Sequence, residues 1–153
     1  MSNEPQAADN PLVLDDFLCF AVYSLNLAFT RVYAPLLGKL DLTYPQYLVM
    51  VLLWERDNQT VGDLGKRLFL ESNTLTPLLK RLEGLGHVER TRDPADERQV
   101  RICTTAAGRT LRAKALEVPA CILEATGLEG AELERLRRQM TALHATLEAF
   151  PGA

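Results

Sequence analysis

Few residues in this sequence could do covalent chemistry. Three cysteines, Cys19, Cys103 and Cys121, and two histidines, His87 and His144, are spread over 153 residues. No two cysteines form a C-x-x-C pair and no histidine stands at zinc-ligand spacing from them, so neither a metal centre nor a cofactor is expected. Thiol chemistry at one cysteine remains. Cys19, in LDDFLCFAVYSL, falls about one turn into an expected helix, where the N-terminal partial positive charge favours a thiolate. Tyr23 lies four residues on, over the same face, and a phenol donor stabilises the anion without trapping it as a cation would. Asp15 and Asp16 act in the opposite sense. A lone cysteine in an apolar helix also reads as a small inert hydrophobe, and residue type alone leaves both readings open. Cys103, in VRICT, reads as core.

A second chemistry, recognition of a polyanion, is written into residues 71–103, ESNTLTPLLKRLEGLGHVERTRDPADERQVRIC. Leu75, Leu78, Leu79, Leu82 and Leu85 recur three or four apart, which buries one face of a helix with about 3.6 residues per turn. Asn73, Thr74, Thr76, Pro77, Lys80 and Arg81 supply the polar residues and cations that suit base edges and phosphates. Pro77 is awkward in a helix from Ser72, so either the first turn is loose or Thr74 is the cap. Beyond Gly84 and Gly86 the pattern alternates: Val88 faces one way, Glu89 and Thr91 the other, and Val100 and Ile102 mark a return strand. A two-stranded hairpin results, with a loop too long for a tight turn. Arg90, Arg92, Arg98 and Arg101 flank it, where guanidinium groups could follow a phosphate backbone or enter a minor groove, and Asp96 could hold Arg98.

Other segments would position this unit. Thr60-Val61-Gly62-Asp63 has capping-box spacing ahead of Leu64 and Leu68, with a turn over residues 69–72 before the reading helix. Helix, turn, helix and hairpin together make a winged helix-turn-helix. A long helix is expected from Leu14, capped near Asp15, and bent or ended at Pro35. Leu18, Val22, Leu25, Phe29, Val32 and Leu36 repeat along it at alternating fours and threes. Thr43 or Tyr44 opens a buried second helix with Pro45 in its first turn. Thr105 caps a helix running past Leu111 and Leu116, and a last helix over about residues 129–149 repeats Leu133, Leu136, Met140, Leu143 and Leu147. Two such seams outside the reading unit exceed what one small core needs, and they read as the interface of a homodimer matching a palindromic operator.

The net charge of −3 is unevenly placed. Residues 62–112 hold ten Lys or Arg against seven Asp or Glu, while the remainder holds seven against thirteen. The basic excess therefore sits on the reading segment. No apolar run approaches the roughly 20 residues of a membrane span, and the first eleven residues, expected to be disordered, show no secretory pattern. A cytoplasmic protein is expected. One domain follows, with the winged helix over about residues 44–104 and dimerisation helices over about 12–38 and 105–149.

TLTPLLKRLEGLG, DPADERQV and TTAAG resemble the MarR family (multiple antibiotic resistance regulators), which implies a mainly α fold with a small β-wing, dimeric and DNA-binding. Asp96 and Arg98 match the D-x-R core of that family's wing. LDDFLCFAVYSLNLAFTRVYAPLL and LDLTYPQYLVMVLLWE are similar to one branch, the organic hydroperoxide resistance regulators. That resemblance implies that Cys19 is oxidised by organic hydroperoxides and that Tyr33 and Tyr44, with Tyr23 nearby, hydrogen-bond its sulfur. Some members of the branch carry a resolving cysteine after the segment matching Val118-Pro119. Cys121 is the candidate, a few residues before the matching position near Glu124.

The expected function is a repressor, not an enzyme, that leaves duplex DNA when Cys19 is oxidised. Two rivals stand beside it. One is a repressor of the same fold that binds a small aromatic molecule; the other is a thiol peroxidase, against which the lack of a recycling thiol pair counts.

Overall fold

The computed structural model describes residues 12–152; the expected disorder of the first eleven residues lies outside them. The chain forms two compact units, one reaching Arg112 and one from Ala113 onward.

In the first unit the chain makes a 3-10 turn, Leu14–Asp16, and then helix α1, Leu18–Gly38, with Phe17 as N-cap. The expected start at Leu14 with an Asp15 cap is corrected: the backbone at Phe17 is extended, so the turn and the helix are separate elements. Pro35 neither ends nor interrupts α1. A proline there removes a single hydrogen bond, to the carbonyl of Arg31, which costs less than breaking the helix three residues early.

Helix α2, Tyr44–Glu55, begins at a complete capping box. The Thr43 hydroxyl accepts from the Gln46 amide, and the Gln46 side chain accepts from the Thr43 amide at 2.9 Å. Its C-terminal end is closed by Gln59, whose Nε2 donates to the carbonyls of Leu52 (2.7 Å) and Arg56 (2.6 Å); the Leu52 carbonyl also accepts from the Arg56 amide at 3.0 Å.

Gln59 and Thr60 also form a short strand, β1. Helix α3, Val61–Leu68, follows; the Thr60 hydroxyl accepts from the Asp63 amide at 3.1 Å. Phe69, left-handed at φ 55°, ends it, and Gly65 lets the turn close, since a Cβ there would lie 2.7 Å from the Leu70 carbonyl. Helix α4, Ser72–Gly84, has Glu71 as N-cap and Pro77 inside it. Neither a Thr74 cap nor a loose first turn is needed, because only the Asn73 carbonyl loses its helical donor.

Strands β2, Val88–Arg92, and β3, Val100–Thr104, form the expected hairpin with Val88 opposite Thr104 and Arg92 opposite Val100. The sheet has three strands, not two, in the order β1-β3-β2, with Gln59 paired to Ile102. Asp57 adds a second tie: Thr104 donates to it through both its amide and its hydroxyl, each at 2.8 Å. Burial pushes the Asp57 carboxyl up, but hydrogen bonds from Thr104 and the Asn58 amide hold it net below the usual range.

The core of this unit is Val49, Met50 and Leu53 of α2, Leu64 of α3, Leu75, Leu79 and Leu82 of α4, and Val88 and Ile102 of the sheet, all fully buried. Each such side chain stabilises the fold by roughly 1.5–3 kcal/mol relative to exposure. Thr105 caps helix α5, Ala106–Ala115, accepting from the Gly108 amide at 3.0 Å. Gly108 also lies against His87, and its carbonyl accepts from the Trp54 indole at 2.9 Å.

In the second unit the expected continuous helix stops at Ala115. Helix α6, Glu117–Thr126, takes Pro119 in its first turn, and helix α7, Gly130–Glu148, starts at a capping box between Glu129 and Glu132. Leu136, Met140 and Leu147 of α7 are exposed, as are Leu18, Val22, Leu25 and Val32 of α1 in the first unit.

The Gly108 contact gives a direct test. A Cβ at this position would sit 2.1 Å from the His87 carbonyl oxygen, a backbone atom that cannot swing aside. Gly108→Ala should therefore lower stability by at least about 1–3 kcal/mol, read as a lower thermal midpoint. An unchanged midpoint would mean that α5 does not pack this closely on the hairpin.

Candidate redox site and nucleic-acid interface

Cys19 is the second residue of α1 and is exposed. It stands inside the first turn, not about one turn in, because α1 starts later than the periodicity suggested. The Tyr23 ring, 59% exposed, stacks on Phe20 at 6.4 Å between centroids and 28° between planes.

Tyr33 and Tyr44 come together at the other end of α1. Their ring centroids are 4.7 Å apart, and Tyr47 joins them at 6.2 Å from Tyr33. Burial, reinforced by Tyr44 and Tyr47, pushes the Tyr33 phenol up to about 12, and burial raises Tyr47 as well. Tyr33 is thus a protonated hydrogen-bond donor at any physiological pH. Tyr47 was missed by the sequence reading. Its spacing of three from Tyr44 on the mostly apolar α2 was the available signal.

The structure does not bring Cys19 to these phenols within one chain. Tyr33 lies fourteen positions beyond Cys19 along unbroken helix. At about 1.5 Å per residue their Cα atoms are about 21 Å apart, far beyond hydrogen-bond reach.

Of the other thiols, Cys121 is half-buried in α6. Cys103 is not core as expected: it lies mid-strand on the partly covered face of β3, and its Sγ donates to Asn58 Oδ1 at 3.5 Å. Burial, with Asp57 and Glu89 nearby, pushes that thiol up and away from the reactive thiolate form. No group of three or more His, Cys, Asp or Glu suited to a metal ion occurs among the described residues.

The second candidate site is a groove of about 620 Å³ bounded by the start of α3, the start of α4 and the hairpin. Lys66, Ser72, Thr76, Arg90 and Arg98 line it, together with Asp63. Asn73, Thr74, Pro77, Lys80 and Arg81 lie exposed on α4 beside it. The Thr76 hydroxyl donates to the Ser72 carbonyl at 2.7 Å, leaving its lone pairs outward.

The loop between β2 and β3 is held from inside. Asp93, nearly buried, accepts from the Ala95 amide at 2.8 Å and from Arg101 Nε at 2.7 Å, and these two keep its carboxyl below the usual range. Arg101 also donates to the Asn58 carbonyl at 3.0 Å. Its guanidinium is spent on the hairpin base, so the expected phosphate role for Arg101 does not fit. Arg98 differs: Asp96 accepts from its backbone amide at 3.1 Å and lies 3.6 Å from its Nε, while the side chain is 95% exposed. Asp96 therefore sets where Arg98 projects, as the sequence suggested. Arg92 reaches the Glu97 carbonyl at 3.1 Å, and Arg90 is bound to Glu83 at 2.8 Å.

A family model described as the transcriptional regulator SarA/Rot matches residues 31–114. Among characterised relatives, the HTH-type transcriptional regulator TtmR of Methylorubrum extorquens is 48% identical over 95% of this chain and 74% of its own length. The organic hydroperoxide resistance transcriptional regulator of Bacillus subtilis is 43% identical over 88% of this chain and 91% of its own. Among solved structures, reduced AbfR bound to DNA is 36% identical with a TM-score of 0.76, covering 88% of this chain and 92% of AbfR. AbfR, a Staphylococcus epidermidis protein, has also been solved with its disulfide formed, at a TM-score of 0.61 and 36% identity, covering 88% of this chain and 90% of that one. The arrangement α2-β1-α3-α4-β2-β3 is the winged helix of those regulators. On the length and identity of these matches, the chain belongs to the MarR family of winged-helix transcriptional regulators, in the branch of the organic hydroperoxide resistance regulators.

Proposed function

We propose that the protein is a dimeric repressor that holds a palindromic duplex operator until organic hydroperoxide oxidises Cys19. The observation that carries this reading is the separation of Cys19 from Tyr33 along a single helix. Both ends of α1 hold half of a thiol site, and the helix between them exposes Leu18, Val22, Leu25 and Val32 to solvent in the isolated chain. An antiparallel second copy would cover that apolar stripe and set Cys19 of one chain against Tyr33 and Tyr44 of the other. Burial of the stripe would drive the association.

The chemistry balances simply. The Cys19 thiolate attacks one peroxide oxygen, the O–O bond breaks, and the departing alkoxide leaves as the alcohol after taking up a proton. Sulfur is oxidised to the sulfenic acid and the peroxide is reduced. A phenol donating to the sulfur before reaction must change partner afterwards, because the sulfenic acid is larger than the thiolate and its oxygen is a stronger acceptor. With the site straddling the dimer seam, that local change alters how the two copies meet and hence the spacing of the two α4 helices, which B-form DNA requires to be about 34 Å. Cys121 is the proposed resolving partner: its thiol attacks the Cys19 sulfenic acid of the other copy, the S–O bond breaks, and water leaves as the disulfide forms; disulfide-formed AbfR supports a route of this kind.

In the DNA complex α4 would enter the major groove with Asn73, Thr74, Thr76, Pro77, Lys80 and Arg81, while the wing offers Arg92 and Arg98. Reduced AbfR bound to DNA supports this placement. Among the described residues no helix is long and apolar enough to cross a membrane.

Two experiments test these assignments. Arg98→Ala should weaken binding to the promoter beside the protein's own gene, and the slope of log K against log salt should fall by about 1 because one fewer counterion is displaced. Unchanged affinity and slope would take the wing off the DNA. Cys19→Ser should bind the same promoter yet stay bound under an organic hydroperoxide that releases the wild type. Cys121→Ser should still be released, without the covalent dimer seen on non-reducing electrophoresis. Release of Cys19→Ser by hydroperoxide would reject the sensor assignment in favour of the ligand-responsive reading.

A further inference from the structure

One side chain ties the reading helix to the wing. Glu83, in the last turn of α4, accepts from Arg90 of β2 at two points: Arg90 Nε lies 2.8 Å from Oε2, and the Arg90 backbone amide lies 3.3 Å from Oε1. Both side chains are partly shielded, at 28% exposure for Arg90 and 40% for Glu83. The contact differs in kind from the exposed pairs Arg67–Glu55 and Arg137–Glu134, which join side chain to side chain only. A carboxylate that bridges a guanidinium and a strand amide fixes the backbone of β2 as well as a rotamer. Arg90 lines the groove between α3, α4 and the wing, so one of that groove's cations arrives already paired.

We propose that Glu83 is a positioning residue for DNA reading, locking the angle between α4 and the wing through Arg90. On this account Arg90 is a strut, and phosphate contact falls to Arg92 and Arg98. The inference rests on the DNA-binding reading above. The Arg90 guanidinium holds the Glu83 carboxyl below its usual range, so the clamp stays charged throughout the physiological pH range.

Positioning and simple electrostatics predict opposite signs. Removing a carboxylate from a surface that meets a polyanion should, on charge alone, tighten binding to every duplex and steepen its salt dependence. Removing a clamp frees the wing to drift relative to α4, so that base-edge contacts and wing contacts no longer form together. Specific binding then weakens, while binding to unrelated DNA, which needs no fixed angle, holds or improves.

The test compares wild type, Glu83→Gln, Glu83→Asp, Arg90→Gln and the Glu83→Gln/Arg90→Gln double variant. Each is titrated with the duplex from beside its own gene and with a scrambled duplex of the same length. Glu83→Gln should lose about tenfold on the promoter duplex, equivalent to about 1.4 kcal/mol, and nothing on the scrambled one. Glu83→Asp keeps the charge but shortens the reach, and it should also lose promoter affinity. The double variant should be no worse than either single variant, as expected for two halves of one contact. The proposal is overturned if Glu83→Gln binds the promoter as tightly as wild type or tighter. It is equally overturned if the two single losses add, or if Arg90→Gln weakens both duplexes alike. Wild type showing no preference for the promoter would remove the DNA-binding reading itself, whereas a preference that Glu83→Gln retains undiminished removes only the clamp.

Discussion

A continuous α-helix is a ruler, and the length of α1 constrains everything proposed for this protein. Its first turn presents a thiol; about 21 Å farther along, its last turns present a phenol braced by two more. No side-chain rotamer spans that gap, and Pro35 does not bend the helix enough to end it. The two halves meet only if a second α1 runs alongside in the opposite sense. In the proposed dimer the same geometry would make oxidation consequential, since a change at the sulfur would be felt at the seam between copies and not inside one core. The apolar residues left exposed along α1 are what such a seam needs in order to form.

The reading unit depends on a different kind of constraint, a set of hydrogen bonds that join elements distant in sequence. Gln59 closes the end of α2 and begins β1; Asp57 ties that turn to Thr104; Arg101 ties Asp93 of the hairpin to Asn58. Each contact leaves a buried polar group satisfied, and each would leave one stranded if its partner were lost. They fix the base of the wing on the helical core. Within that frame the Asp96 carboxylate aims Arg98 outward, and Glu83 holds β2 against the end of α4. Stiffness at the base and exposure at the tip suit a hairpin that must present one guanidinium at a set distance from a helix.

Much of this was legible in the sequence wherever the signal was local. The Leu75, Leu79 and Leu82 stripe, the Thr60 cap and the Asp96–Arg98 pair each sit within about two turns or one loop, and residue types there determine geometry. What could not be read depends on contacts across the chain. A strand as short as Gln59–Thr60 has no periodicity, and it exists because β3 offers it an edge. Arg90, Arg92, Arg98 and Arg101 look equivalent as letters, yet Arg101 and Arg90 are committed to Asp93 and Glu83, while Arg98, beside Asp96, projects into solvent. Tyr47 escaped notice because its role follows from which side of α2 meets α1. The proline at position 77 misled for the opposite reason: a local rule was overridden by the burial of Leu75 and Leu79 on either side of it.

The measurement that bears most directly on the central claim uses mixed dimers. Cys19→Ser chains are paired with Tyr33→Phe/Tyr44→Phe chains, so that each heterodimer keeps a single Cys19, carried by the chain without its own phenols. The loss of that thiol under a limiting organic hydroperoxide is then followed. If the site is built across the dimer, the remaining thiol faces the intact Tyr33 and Tyr44 of the other chain and reacts at the wild-type rate. Reaction as slow as in the Tyr33→Phe/Tyr44→Phe homodimer would contradict the account, because it would mean that each chain serves its own cysteine.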